Sequence, residues 1–221
     1  MKFGIDLGHT LRGANTGAEG IRKETDLNRE VGFRVIEKLQ RLGYEVINCT
    51  LDEASSNAES LSYRVNTANS NNVDVFFSVH FNCSNGQGHG VECFAMSSTG
   101  KEYAQRIVDE IANIGYRNRG IKDGSGLYVV KNTNMPASLI ECCFIDNEED
   151  MNRYDAEAMA VAIVKGITGQ EVRENNFDPI QYMMTYRDLV EAYASNHSDF
   201  IEFAKWHYEN YGRAEISERR R

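Results

Sequence analysis

The sequence predicts an α/β fold: a mixed, mostly parallel twisted sheet of about six strands, helices on both faces, and a helical appendage at the C-terminus. Three observations carry this. Strand-like runs alternate with segments of helical spacing, the pattern of a sheet covered on both faces. One connection, from His80 to Gly90, is too short for a crossover helix, which needs a dozen or more residues between parallel neighbours. After Gly169 the composition shifts to aromatic-rich helical stripes.

The elements follow in order. Residues 2–8 form the first strand-like run, and Leu27, Val31, Val35, Lys38, Leu39 and Leu42 then repeat near 3.6 residues until Gly43 ends the helix. Thr25 or Asp26 is suited to cap its start. Residues 44–49 read as a strand, Val65, Ala68 and Asn69 as a weaker helix, and 73–80 as a third strand. The run 90–96 must be antiparallel to 73–80 because of the short connection. Tyr103, Ile107, Ile111 and Ile114 mark a clear helix closed by Gly115, and residues 126–131 and 137–144 read as further strands. Met159, Ile163 and Ile167 form a helix closed by Gly169.

This divides the chain into a domain over 1–170 and a helical region over 175–221. In the latter, Asp178-Pro179 makes a cap and first-turn pair ahead of Met183, Tyr186, Leu189, Val190 and Tyr193. Ser198 caps a second helix carrying Phe200, Phe203, Ala204, His207, Tyr208 and Tyr211. Two such helices are too small a core to stand alone. They are expected to dock, to self-associate or to bind a target.

Composition narrows the function. A net charge of −9 speaks against a nucleic-acid partner, which would want a basic face. No apolar stretch approaches a membrane span. Asp6 interrupts the N-terminal run too early for a signal-peptide core, so synthesis in the cytoplasm is expected. Five cysteines without a CxxC pair suggest neither a disulfide framework nor a thiolate metal site.

Chemistry concentrates in four residues. Glu141 is an ionisable group inside an apolar run, where desolvation costs several kcal/mol unless a cation or hydrogen bonds compensate. His9 and His80 both lie just past carboxyl ends of strands, where open α/β sheets place their sites. Two imidazoles and one carboxylate make the open ligand set of a catalytic zinc, leaving a further carboxylate as general base. Glu19, Glu24 and Asp26 are all within reach of His9, and residue chemistry favours Glu24 only slightly. His89 returns to the same sheet edge as His80, among Gly86, Gly88 and Gly90, which also read as a flexible loop. His197 and His207 belong to the C-terminal helices, and Glu148-Glu149-Asp150 reads as solvated or helix-start charge. Asp6 is a candidate to hold the second nitrogen of a ligating histidine.

Four segments resemble the zinc-dependent N-acetylmuramoyl-L-alanine amidases of the amidase 3 type, found in autolysins and phage endolysins. They are Ile5-Asp6-Leu7-Gly8-His9, Glu24-Thr25-Asp26-Leu27-Asn28, Ser78-Val79-His80-Phe81-Asn82 and Ile140-Glu141-Cys142-Cys143-Phe144-Ile145-Asp146-Asn147. Between them Arg64, Asn66, Asn69, Gly90-Val91-Glu92, Asn118-Arg119-Gly120-Ile121-Lys122 and Asn134-Met135-Pro136-Ala137 fall in the order of that family, over residues 1–168. The chain departs from it at Thr10, at Asn48-Cys49-Thr50-Leu51 and at Cys143, none of which is a ligand or the base.

The resemblance implies one Zn²⁺ held by His9, Glu24 and His80, Glu141 as catalytic residue, and Asn82, His89 and Arg119 as substrate contacts. It also implies cleavage of peptidoglycan between N-acetylmuramic acid and L-alanine. Without a signal peptide the expected setting is a phage or prophage endolysin that is made in the cytoplasm and reaches the wall after release. The alternatives are an autolysin or spore-cortex amidase of the same chemistry, a zinc peptidase acting on the stem peptide, and a non-catalytic wall-binding protein.

Overall fold

The structure, a computed structural model, describes residues 1–172. The helices expected within 175–221 lie outside the described residues. In chain order the elements are β1 (Lys2–Leu7), β2 (Arg12–Gly13), α1 (Glu24–Arg41), β3 (Glu45–Asn48), β4 (Glu53–Ala54), α2 (Asn57–Ser70), β5 (Val75–Asn82), β6 (Val91–Ala95), α3 (Ser98–Asn113), β7 (Asn118–Asp123), α4 (Tyr128–Asn132), β8 (Ala137–Phe144), α5 (Glu148–Arg153) and α6 (Ala156–Thr168). Six strands form one sheet in the order β3-β1-β5-β8-β6-β7, and β2 pairs with β4 apart from it. Strands β3, β1, β5 and β8 run parallel; β6 is antiparallel to β8, and β7 is parallel to β6.

The expected mixed, mostly parallel sheet is present, with two differences of detail. The run 90–96 opposes β5 in direction but does not pair with it, because β8 lies between them. Residues 126–131 form the short helix α4 rather than a strand, and β7 supplies the sixth strand. Val129 and Val130 are consecutive and both buried against Val65, Ala68, Phe76 and Leu139, which a helical turn permits and strand alternation does not. Their short apolar run carries no period that separates the two cases. β7 reads Asn-Arg-Gly-Ile-Lys-Asp, a polar edge strand with no alternation to detect.

Helix α1 starts one turn earlier than its apolar stripe, with Lys23 at the cap position and no side-chain cap. Thr25 and Asp26 therefore lie inside the first turn, and Glu24 is the first helical residue. Its end follows the sequence: Gly43 takes φ 85°, and the amides of Leu42, Gly43 and Tyr44 turn back onto the carbonyls of Lys38, Gln40 and Leu39. Asn147 caps α5 by accepting from the Asp150 amide. Asp150 itself is buried, not solvated, and its Oδ2 accepts from the amides of Gly90 (2.8 Å) and Phe144 (2.9 Å). All five cysteines are free. No helix among the described residues is long and apolar enough to cross a membrane.

Alternation along the strands positions the site. Phe3, Ile5 and Leu7 of β1, with Val75, Phe77, Val79 and Phe81 of β5, join Leu27, Val31, Val35, Ile107, Ile111, Met159 and Ile163 in the larger core under α1, α3 and α6. Each such side chain contributes about 1.5–3 kcal/mol when fully buried. The intervening residues face the other way, toward α2 and α4. That face starts apolar, at Phe76 and Leu139, and becomes polar toward the strand ends with Asp6, Ser78, His80 and Glu141.

Beneath the polar end, Arg64 of α2 is fully buried and paired with Asp6, whose other oxygen accepts from Ser78 Oγ at 2.6 Å. Asp6 thus serves the sheet interior rather than a histidine. Replacing Arg64 by Met leaves a buried carboxylate without its cation, and the expected loss is about 3–5 kcal/mol in urea unfolding. A loss below about 1 kcal/mol, the range of an exposed pair, would show that the ion pair is not a structural element.

Candidate metal centre

Three elements bring one residue each to the same point. His9 lies two residues past β1, His80 near the end of β5, and Glu24 at the first turn of α1. One ligand atom from each falls within 4.8 Å of the others. Glu24 Oε1 stands 3.1 Å from His9 Nε2 and 3.0 Å from His80 Nδ1, and its Oε2 accepts from the Ala18 amide at 2.9 Å. The imidazoles meet edge to face, with centroids 4.8 Å apart. Gly8 makes room: a Cβ there would lie 2.2 Å from the His80 ring, so the imidazole rests directly on the β1 backbone. Glu24 is buried, whereas Glu19 is exposed and bridges back to Lys23. This separates Glu24 from Glu19, one of the two other carboxylates that sequence left nearly equal to it.

Glu141 sits beside this group. In the sheet register it pairs with His80 on one side and with Glu92 on the other, giving a row His80–Glu141–Glu92 across three strands. Residues directly opposite in a sheet hold their Cβ atoms roughly 4.5–5.5 Å apart, so these side chains share one surface. Glu141 Oε2 is buried and has no hydrogen-bond partner among the described residues. Glu92 is different: Oε1 accepts from Asn82 Nδ2 at 2.9 Å and Oε2 from Arg119 Nε at 2.8 Å. Arg119 also lies over the Phe144 ring, 4.8 Å from its centroid. Asn82 and Arg119 therefore border the row through Glu92. His89 does not join them; its contacts are with the Gln87 carbonyl and Arg117.

The electrostatics favour a positive charge at this point. Burial pushes the Glu141 carboxyl far above the usual carboxylate range, and the charges of Glu24 and Glu92 push it further. Burial also acts to raise Glu24, but hydrogen bonds from His80 and His9 and their charges outweigh it and hold this group well below its ordinary value. For His9, burial acts downward and the hydrogen bond and charge of Glu24 outweigh it, leaving the imidazole raised. Two imidazole nitrogens and a carboxylate oxygen converging, with an orphaned buried carboxylate oxygen alongside, are the donor chemistry of a catalytic zinc site. The residues fit a divalent cation.

Sequence reasoning gave no role to Glu92 or Asn15. Glu92, a carboxylate between Val91 and Cys93 in a strand-like run, carried the same desolvation signal as Glu141. Asn15, whose Oδ1 lies 2.9 Å from His9 Nδ1, gave none, because its place depends on how the following loop folds back.

The family described as N-acetylmuramoyl-L-alanine amidase matches residues 4–169. The chain belongs to this amidase family. An uncharacterised protein of Clostridium perfringens is 34% identical over 184 residues, which are 79% of this chain and 54% of that protein. The N-acetylmuramoyl-L-alanine amidase CwlM of Bacillus licheniformis is 30% identical over 170 residues, 75% of this chain and 65% of its own. Among solved structures, the catalytic domain of an endolysin targeting Clostridia difficile superposes with a TM-score of 0.73 at 32% identity, covering 78% of this chain and 99% of that domain. The chain spans about half the length of the first curated relatives it matches.

Proposed function

We propose that this amidase-family protein is a zinc-dependent peptidoglycan hydrolase that cleaves the amide between N-acetylmuramic acid and the L-alanine of the stem peptide. The observation that carries the reading is the convergence of His9, Glu24 and His80 with Glu141 in register beside them. Zinc held by these three residues would supply a Lewis acid with one open position and would lower the pKa of water toward neutrality.

Glu141 has the free oxygen, so it takes the proton as water adds to the amide carbonyl. The same carboxyl can then give that proton to the leaving L-alanine amine. Glu92 does not compete as base, because both its oxygens are engaged. Asn82 and Arg119, at the border of the row, are assigned as substrate contacts. His89 contacts Gln87 and Arg117 and no residue of the row, which leaves it the weakest of the three.

A wall-binding protein without catalysis has no use for Glu141, so its presence beside three ligands favours the enzyme. The endolysin reading draws on the solved catalytic domain; an autolysin or spore-cortex amidase would run the same chemistry. Digestion of purified peptidoglycan followed by end-group analysis tests the assignment. New L-alanine amino termini are expected. New reducing ends would identify a glycosidase, and new termini inside the peptide a peptidase.

Residues 175–221 are assigned to wall attachment or self-association, on the helical spacing of the aromatic residues in their sequence. A chain ending after Val172 is expected to keep amidase activity on soluble fragments and to lose binding to intact walls. Equal wall binding and cell lysis, with an unchanged oligomeric state, would remove that assignment. Aggregation or a lost thermal transition would show that the region serves stability.

A further inference from the structure

We propose that Asn15, held by Ser60 and Arg64 of α2, is a positioning residue that fixes the tautomer and orientation in which His9 presents Nε2 to the metal centre. The inference rests on the reading of His9, Glu24 and His80 as metal ligands and concerns what makes the first of them competent.

His9 Nδ1 faces two oxygens of the same residue, the Asn15 main-chain carbonyl at 3.2 Å and Oδ1 at 2.9 Å. A carbonyl oxygen can only accept, so Nδ1 must carry the hydrogen. In a neutral imidazole that leaves the lone pair on Nε2, the nitrogen that faces Glu24. The amide of Asn15 is itself oriented: its Nδ2 donates to Ser60 Oγ at 3.0 Å, and Ser60 Oγ also accepts from Arg64 Nε at 3.3 Å. The circuit closes on its starting residue, because Arg64 Nη2 donates to the His9 carbonyl. Arg29 Nη2 donates to that same carbonyl at 2.9 Å.

Ring and backbone of one ligand are thus held by a single run of hydrogen bonds through α2, a helix that supplies no ligand. Backbone conformation supports this reading. His9 (φ 62°) and Asn15 (φ 69°) both occupy the left-handed region, uncommon outside glycine and sustained where surroundings over-determine it. The turn between them is closed by Thr10, whose amide donates to the Asn15 carbonyl at 2.9 Å and whose hydroxyl donates to the Ala14 carbonyl. Partners of this kind fix which nitrogen of a ligating histidine is available and raise its basicity.

The test compares wild type with Asn15→Gly, which keeps the left-handed backbone without the side chain, and with Asn15→Asp, which tolerates the same backbone and keeps an acceptor. Long-range ¹H–¹⁵N spectra report the tautomer, both in zinc-loaded wild type and in the metal-free proteins at alkaline pH, where imidazoles are neutral. Competition with a chromophoric chelator reports zinc affinity. In zinc-loaded wild type the His9 proton is expected on Nδ1. Asn15→Gly should shift the tautomer population and weaken zinc binding by about 10- to 100-fold, with Asn15→Asp close to wild type. A proton on Nε2 in zinc-loaded wild type would overturn the proposal. So would an Asn15→Gly protein that loses thermal stability while its tautomer and zinc affinity stay unchanged. Absence of zinc binding by wild type would overturn the metal reading instead, and the tautomer spectra would still decide the role of Asn15.

Discussion

Removal of divalent metal by a chelator is expected to abolish wall hydrolysis, and one equivalent of zinc per chain is expected to restore it. The reason lies in how Glu24 is held. Its Oε1 has His9 Nε2 at 3.1 Å and His80 Nδ1 at 3.0 Å, so three metal-ligating groups converge on one point. A cation among them would be bound by all three and would offset the negative charge of Glu24 and Glu92 around Glu141. Metal that binds the folded chain alone also stabilises it, by about 4 kcal/mol at a thousandfold excess over Kd. Two readouts should therefore move together: activity, and a thermal transition raised by zinc. Full activity in protein shown by metal analysis to hold no stoichiometric divalent ion would sink the assignment.

Glu141→Gln is expected to reduce turnover by about two orders of magnitude or more, the scale for loss of a positioned general base. Zinc content should be unchanged, since Glu141 is not among the three converging ligands, and the loss should appear in kcat rather than KM. Stability should move in the other direction. In the metal-free protein the folded state holds the Glu141 proton well above the usual carboxylate pKa, chiefly through burial. The unfolded chain releases that proton at its ordinary value, so this group lowers stability as pH rises above that value. Glutamine removes the penalty, so metal-free Glu141→Gln should melt no lower than wild type at neutral pH. Near-wild-type lysis by the variant would take Glu141 out of the mechanism.

How much of this was legible beforehand differs by residue. His9 and His80 could be placed at strand ends because β1 and β5 announce themselves by apolar runs that stop at polar residues. The helices α1, α3 and α6 were legible from their 3.6-residue stripes and closing glycines. The start of α1 was not, because its first turn is polar and carries Glu24 toward the site rather than an apolar residue toward the core. β7 and α4 were exchanged for a related reason. A polar edge strand has no alternation to show, and a short apolar run fits a helical turn as well as a strand.

By itself the sequence determined the fold class and the presence of a carboxylate in an apolar strand, which depend on local periodicity and on residue chemistry that no packing can alter. His9, Glu24 and His80 as expected ligands came from the resemblance to the family. Only the tertiary structure decided that β8 enters between β5 and β6, which places Glu141 in one row with His80 and Glu92. It alone decided, too, that Asp6 goes to Arg64 while Asn15 goes to His9. Lateral strand order and loop closure are set by contacts between residues far apart in the chain, where each buried polar group must find a partner, and nothing in local spacing encodes which partner that is.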